Sequence, residues 1–200
     1  PNTYNTNVDS MGKRYFHSND LSNVTFKPLS TAESLAVACY DFANLAKPQI
    51  FNPNCLQAGL ALRVSEGVWF NPLRNKKGEV VRDENELKAH LIPKRKVNGI
   101  YLLDGDTSFV PYCTFEQGAQ EHEKFLKSGL ARGLVHTAEK RADSLSPIAN
   151  DTEYPNQVNV CGFDSVREPL VKVVGLYSYW YIGGLRLGVG GDSWYDDSDG

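Results

Sequence analysis

The chain has no long hydrophobic run and no strong excess of either charge. Its longest apolar stretch, 170–187, is interrupted by Lys172, Arg186 and several glycines, and no run reaches the roughly 18 residues that suggest a membrane span. Acidic residues outnumber basic ones by 24 to 21, and the pI is about 5.8. A dedicated nucleic-acid binder normally has a basic patch and a domain pI above about 9. The sequence therefore argues against a membrane span and against a nucleic-acid partner.

The common catalytic motifs are also missing. His122 lies between Glu121 and Glu123, but no second histidine follows at the H-E-x-x-H spacing. The chain contains no G-x-S-x-G elbow and no Walker loop. Gly188-Val189-Gly190-Gly191 follows a predicted strand without a helix pattern after it, which argues against a dinucleotide site. These absences favour a function other than catalysis.

Cysteine is scarce, and its spacing excludes two further classes of site. The four cysteines are Cys39, Cys55, Cys113 and Cys161, with no C-x-x-C pair. A zinc ribbon and a thioredoxin-type redox site are therefore not expected. The even number favours two disulfides in an oxidising compartment, with three connectivities open. The alternative is four buried free thiols in the cytosol.

The most informative stretch that is present runs from Asn98 to Gly118. A β-favouring run at 100–103 precedes the turn residues 104–108, and a second run follows at 109–115. This pattern predicts a β-hairpin. Gly105 allows a positive φ in the turn. Pro111 has no N–H to donate, which predicts an edge strand or a bulge there.

Two fragments resemble fibrinogen-like domains. Gly99-Ile100-Tyr101 and Val110-Pro111-Tyr112-Cys113 resemble the two strands of the first hairpin of that family. The segment 185–193, LRLGVGGDS, is similar to a glycine-rich segment ending in Gly-Asp-Ser in the same family. The resemblance implies ligand binding on surface loops with support from Ca²⁺.

The clearest helix pattern covers 30–47. Ser30 and Glu33 form a capping box, and apolar residues then recur every three or four positions up to Pro48. A second helix is predicted over 83–91 with Asp83 as N-cap.

The stretch 115–135 also predicts a helix, which Gly129 and Gly133 weaken and divide into two pieces. The polar, irregular stretch 136–154 predicts a long surface loop.

Strands are predicted over 158–163 and 170–182. In the second, alternation places Tyr177, Tyr179 and Tyr181 on one face, and tyrosine suits a half-exposed sheet surface. This face is either an ordinary packed surface or an aromatic platform for sugar rings or a partner. The predicted ligand-binding residues are Tyr177, Tyr179, Tyr181 and Trp194.

The last eleven residues, GGDSWYDDSDG, are rich in aspartate. Closely spaced carboxylates with glycine at the bend suit an oxygen-ligated Ca²⁺ ion. Calcium is therefore the candidate cofactor, and the predicted ligands are Asp192, Asp196, Asp197 and Asp199. The alternative is a solvated acidic tail.

These observations together predict an α+β fold with a twisted antiparallel sheet, a packed N-terminal helix and long surface loops. Residues 1–29 form an extended segment, and 30–200 form one globular domain. The predicted function is an extracellular recognition or adhesion module, secreted or on a cell or virion surface. Its expected partner is a glycan or a cell-surface protein, and an oligomer is compatible with this function. Two alternatives are a structural subunit of a virion, tail or pilus, and a secreted hydrolase using its acids or Cys39 and His136.

Overall fold

The computed structural model describes residues 29–44, 56–149, 158–181 and 184–191. The α-helices are α1 (Thr31–Asn44), α2 (Glu84–Leu91), α3 (His122–Lys127), α4 (Gly129–Leu134) and α5 (Ser146–Ala149). The strands are β1 (Leu56–Arg63), β2 (Gly67–Phe70), β3 (Tyr101–Leu102), β4 (Ser108–Pro111), β5 (Gly118–Gln120), β6 (Val158–Cys161), β7 (Leu170–Tyr181) and β8 (Gly184–Gly190). The predicted N-terminal segment, apart from Leu29, lies outside these ranges.

The strands form one eight-stranded sheet in the order β3-β4-β2-β1-β7-β8-β6-β5. Neighbouring strands are antiparallel except β6 and β8, which are parallel. The α+β class is therefore confirmed, with a mixed and mostly antiparallel sheet. None of the helices in the described ranges is long and apolar enough to cross a membrane.

Two hydrophobic cores lie on opposite faces of this sheet. Val68 and Phe70 of β2 are buried in the first core with α1, α3, α4 and α5. Trp69, between them in sequence, is buried in the second core with Leu87 of α2. Successive residues of a strand point to opposite faces, so an unbroken apolar strand such as β2 fits a sheet that is covered on both sides.

Both predicted helix caps are present. The Ser30 hydroxyl accepts a hydrogen bond from the Glu33 backbone N–H at 3.1 Å, and the Ser30 N–H donates to the Glu33 carboxylate at 2.7 Å. Asp83 accepts from the backbone N–H groups of Asn85 and Glu86, each at 2.9 Å. Residues 45–47 of the first predicted helix lie outside the described residues.

The predicted hairpin is confirmed as β3 and β4, but the prediction for Pro111 was wrong. Strand β4 lies between β3 and β2, so it is not an edge strand, and its register with β2 has no bulge. Pro111 is the last residue of β4, opposite Gly67. A proline is tolerated there because the strand ends and a 3₁₀ turn, Tyr112–Thr114, follows at once.

The prediction of a helix over 115–135 was wrong for its first residues. The predicted division of this helix into two pieces is confirmed. Residues 118–120 form β5, which pairs with β6, and Gly118 has a φ of 92°. The helical part divides at Ser128, whose backbone is extended. The glycines have a further role here. A Cβ at Gly129 would overlap the Thr114 side chain, and one at Gly133 would overlap Val110.

The predicted surface loop 136–154 is partly a core element. Residues Asp143–Leu145 form a 3₁₀ turn that continues into α5. Leu145, Ile148 and Ala149 are buried in the first core. Residues 150–154 lie outside the described ranges, and the polar composition of 136–144 hid the short apolar helix that follows.

The predicted framework of two disulfides is not found among the three described cysteines, and Cys55 lies outside the described residues. No disulfide joins Cys39, Cys113 and Cys161 to one another. Two bonds among four cysteines would require one such pair, because Cys55 can bond only one partner. Cys39 lies on the buried face of α1, and burial raises the pKa of its thiol to about 12. A thiol in this environment stays protonated and is a poor nucleophile.

Candidate functional site

An open groove follows directly after β4. Its volume is about 320 Å³, and we call it the 113–128 groove. Its lining residues are Cys113, Thr114, Phe115, Glu116, Gln120, Lys124, Lys127 and Ser128. The groove is therefore built by the 3₁₀ turn, β5, α3 and the residue that separates α3 from α4.

The 3₁₀ turn forms one wall and is fixed by its own contacts. The Thr114 hydroxyl donates to the Pro111 carbonyl at 2.7 Å. The Phe115 ring lies 6.0 Å from the Tyr112 ring and 6.1 Å from the Phe163 ring, measured between centroids. These contacts hold the wall against the sheet.

Tyr112 anchors the turn to two other parts of the chain. Its hydroxyl lies 3.1 Å from the Val64 carbonyl and 3.1 Å from the Asp164 carbonyl. Burial is the main reason that the pKa of Tyr112 is raised to about 12; Asp164 raises it further and Arg63 opposes the shift. The protonated hydroxyl is therefore the stable form at neutral pH.

Gln120, one of the lining residues, has a buried and unused hydrogen-bond acceptor. Its side chain is 7% exposed, and its amide nitrogen donates to the Glu116 carbonyl at 3.0 Å. That bond fixes the orientation of the amide, because a flipped group would bring two oxygens together. The amide oxygen, Oε1, has no partner among the described residues. A buried polar atom without a partner is rare and costly in folded proteins.

Two lysines supply ammonium groups at the rim of the groove. Lys124 lies 2.6 Å from the Glu116 carboxylate, and Lys127 lies 3.3 Å from Glu123. Glu123 also contacts Arg141 at 2.7 Å. Hydrogen bonds from Arg141 and Lys127 lower the pKa of Glu123. The rim is therefore a network of charges in which the ammonium groups keep N–H donors free for a ligand.

A buried guanidinium group lies beside the groove. Ser128 is the N-cap of α4, and its hydroxyl accepts from the Ala131 N–H at 3.1 Å. The Ser128 carbonyl accepts from Arg132 Nε at 3.2 Å. Arg132 is 6% exposed, and its Nη1 has no partner in the described part of the chain. Desolvation lowers the pKa of this group, so its positive charge is not stabilised by solvent.

The lining residues of the groove include one nucleophilic thiol, that of Cys113. Cys113 is exposed there, but none of the lining residues is a histidine that could activate its thiol. The available groups are an amide oxygen, two ammonium groups, hydroxyls and an aromatic ring. This combination is typical of ligand recognition.

A second polar cluster contains serine, aspartate and histidine, but their contacts differ from those of a catalytic triad. The Ser30 hydroxyl donates to Asp106 at 2.9 Å. His136 Nδ1 lies 4.0 Å from the Asp106 carboxylate, and its Nε2 lies 2.9 Å from the Leu103 carbonyl. In a catalytic triad the serine contacts histidine and not aspartate. Together with the buried Cys39 thiol, this geometry gives no support to the Cys39–His136 hydrolase alternative.

Of the three tyrosines of the predicted aromatic platform, Tyr177 has a described side chain, and that side chain is more buried than predicted. Tyr177 is 8% exposed, and its ring lies against Gly175 and Gly190. The glycines on the neighbouring backbone allow the ring to lie flat and buried where a half-exposed ring was expected. Tyr179 and Tyr181 continue β7, but their side chains lie outside the described part of the chain. Trp194 lies outside it as well.

The predicted calcium ligands Asp192, Asp196, Asp197 and Asp199 lie outside the described residues. Within the described ranges, no cluster of three or more histidine, cysteine, aspartate or glutamate side chains is arranged to hold a metal ion. The groove therefore gives no structural reason to assign a metal to it.

The groove could hardly be predicted, because six of its eight lining residues fall inside the predicted helix 115–135. Gly118 was the available signal. A glycine so early in a helix pattern favours a chain reversal, and here it precedes the strand that carries Gln120.

Comparison with known proteins gives no match: no family model fits the chain, and no curated protein or solved structure is significantly similar to it. The fibrinogen-like resemblance therefore stays a prediction.

Proposed function

We propose that the protein is a recognition module that binds a hydroxyl-rich ligand, a glycan or the glycan of a cell-surface protein, in the 113–128 groove. The observation that carries this proposal is the unpartnered amide oxygen of Gln120. Sugar hydroxyls are hydrogen-bond donors, and one of them would satisfy this buried acceptor.

The rest of the groove supports the same ligand class. Its volume of about 320 Å³ falls at the lower end of the range for small-molecule sites. The Thr114 hydroxyl and the two ammonium groups add polar contacts along its length. Phe115 contributes an apolar surface suited to the C–H face of a sugar ring. Only one or two sugar units would fit, so we expect recognition of a terminal or internal residue of a longer chain.

A ligand of this class is found mainly outside cells, so we propose a secreted or surface location. The fragment that resembles fibrinogen-like domains ends at Cys113, which lines the groove. Binding on surface loops is what that resemblance implies, and it supports the same proposal.

A glycan array probed with the labelled chain tests this function, followed by calorimetry on the glycans that bind. Gln120→Met keeps the size of the side chain and removes its acceptor. The matched control is Gln57→Met, because Gln57 is exposed on β1 and away from the groove. We expect Gln120→Met to weaken binding about tenfold, the loss of one good hydrogen bond, and Gln57→Met to leave it unchanged. Absence of glycan binding, or equal affinity of the wild type and Gln120→Met, would contradict the proposal.

A further inference from the structure

We infer that the 113–128 groove selects acidic glycans, in which a carboxylate or sulfate group accompanies the sugar hydroxyls. This inference rests on the proposed function and specifies its ligand class. It depends on three features of the groove: its free donors, its balance of charge, and the separation between its acceptor and its donors.

The first feature is an excess of cationic donors at the rim. An ammonium group has three N–H donors. One donor of Lys124 is used by Glu116, and one donor of Lys127 is used by Glu123. Each lysine therefore keeps two donors for a ligand, and these donors carry positive charge. A charged acceptor on the ligand makes shorter and stronger hydrogen bonds to them than a neutral hydroxyl does.

The second feature is an uncompensated positive charge. The charged lining residues and their ion-pair partners, taken together with Arg132, are Lys124, Lys127, Arg132, Arg141, Glu116, Glu123 and Asp143. Every member of this set except Arg132 has an ion-pair partner. Arg132 is buried, contacts the carbonyl of the groove residue Ser128, and has no carboxylate within ion-pair distance in the described ranges. A buried charge without a partner is unfavourable, so an anion bound nearby would be stabilised.

The third feature is the arrangement of these groups. The acceptor, Gln120 Oε1, is buried, whereas the side chains of Lys124 and Lys127 are 55% and 62% exposed. A ligand that satisfies both ends donates a hydroxyl to the buried amide and presents an anionic group to the exposed lysines. A neutral sugar would satisfy only the buried Gln120 amide, whereas an inorganic anion would contact the lysines and leave Gln120 unsatisfied. An acidic sugar satisfies both.

The test uses matched neutral and acidic glycans on one array: lactose, 3′-sialyllactose and lactose 3′-sulfate, with glucose- and glucuronate-terminated chains as a second set. The variants are Lys127→Gln and Lys88→Gln. Lys88 is a matched control because it is also exposed and ion-paired, with Glu66 at 3.0 Å, and belongs to α2 and not to the groove. Gln120→Met is included to report on the buried end.

We expect at least one acidic member to bind about tenfold or more tightly than its neutral partner, a difference of one charge-assisted contact. Lys127→Gln should abolish this preference, Lys88→Gln should preserve it, and Gln120→Met should weaken neutral and acidic glycans alike. Equal binding of neutral and acidic glycans, with dependence on Gln120, would overturn the inference and leave the proposed function standing. An acidic preference that survives Lys127→Gln would place the anion elsewhere and also overturn it. Failure of every glycan to bind would overturn the proposed function itself.

Discussion

The central strands and the segment that follows them are built by different means. In β2 and β4, successive residues enter the two cores alternately, as Trp69 and Phe70 do. In the segment 112–134, single polar contacts hold short elements in place. Gln120 bonds Glu116, and Ser128 caps α4. The strands are determined by a repeating apolar pattern. The segment is determined by individual hydrogen bonds and by glycines that leave room for neighbouring side chains.

This difference explains where the polar groups of the proposed site lie. A strand buried on both faces has no polar side chain to spare, because a buried polar group must be satisfied. The part 113–127 of the segment is largely exposed and attached to the sheet, and it carries an amide, two ammonium groups and a hydroxyl. Binding residues are often found on such connections.

The largest effect is expected from breaking the second core. Trp69 is 1% exposed, and its ring centroid lies 5.0 Å from that of Phe109. Trp69→Ala should lower the free energy of unfolding by about 3–5 kcal/mol, the usual result of removing a buried aromatic side chain. Urea denaturation measures this change. Ile92→Ala is the control, because Ile92 is 84% exposed and its loss should change stability by less than about 0.5 kcal/mol. A small effect at Trp69 would mean that the second core is not a packed unit.

A smaller effect is expected where the segment meets the strands. A methyl group at Gly133 would overlap Val110 of β4. Gly133→Ala should therefore destabilise the protein by about 1–3 kcal/mol, as overpacked cores do, although alanine favours helix. Val110→Ala removes the atoms that the new methyl group meets, so the double variant should be more stable than the sum of the single effects predicts. Strict additivity in this double-mutant cycle would contradict the assigned close approach.

The strands and the capped helices could be predicted from the sequence because their causes are local. Ser30 and Glu33 are three residues apart, and their capping box forms as expected. The run Gly67–Phe70 is a strand, and Asp83 begins α2. Each of these elements depends on residues a few positions apart, and the contacts predicted from their spacing are present in the folded protein.

The groove could not be predicted because its causes are distant in sequence. Phe125, Leu126, Leu130 and Leu134 are buried, as a helix pattern requires. The residues before them pair with β6, about 40 positions later, and no local pattern reports that pairing. The free oxygen of Gln120 depends on which neighbours reach it in three dimensions. Tyr177 is buried for a partly similar reason, since one of the two glycines against its ring, Gly190, belongs to another strand.

A moderate loss of stability is expected from removing the cap at the start of α1. Ser30 caps the helix and also donates to Asp106 at 2.9 Å. Ser30→Ala should lower the free energy of unfolding by about 1–2 kcal/mol, the range for a lost N-cap. Ser30→Thr keeps the hydroxyl and should recover most of this loss. Asp106→Asn separates the two roles, since it leaves the cap intact. If Ser30→Ala leaves thermal and chemical stability unchanged, the capping box contributes nothing to the fold.

The smallest effect concerns Tyr112, which joins the strands to the groove wall. The folded-state pKa of this tyrosine is raised to about 12, from an ordinary value near 10. The protonated form is therefore favoured by folding. Its contribution to stability is fully present below pH 10 and is lost as the pH rises from about 10 to about 12, because the unfolded chain releases the proton first.

Tyr112→Phe isolates this contribution among the ten tyrosines of the chain. The difference in free energy of unfolding between wild type and Tyr112→Phe should be constant from pH 7 to about pH 9.5 and should decrease above pH 10. Absorbance at 295 nm of the folded proteins gives a second readout, in which the difference spectrum should titrate near pH 12. A difference spectrum that titrates near pH 10 would show a solvated hydroxyl. The groove wall would then lack the buried anchor that distinguishes it from an ordinary surface loop.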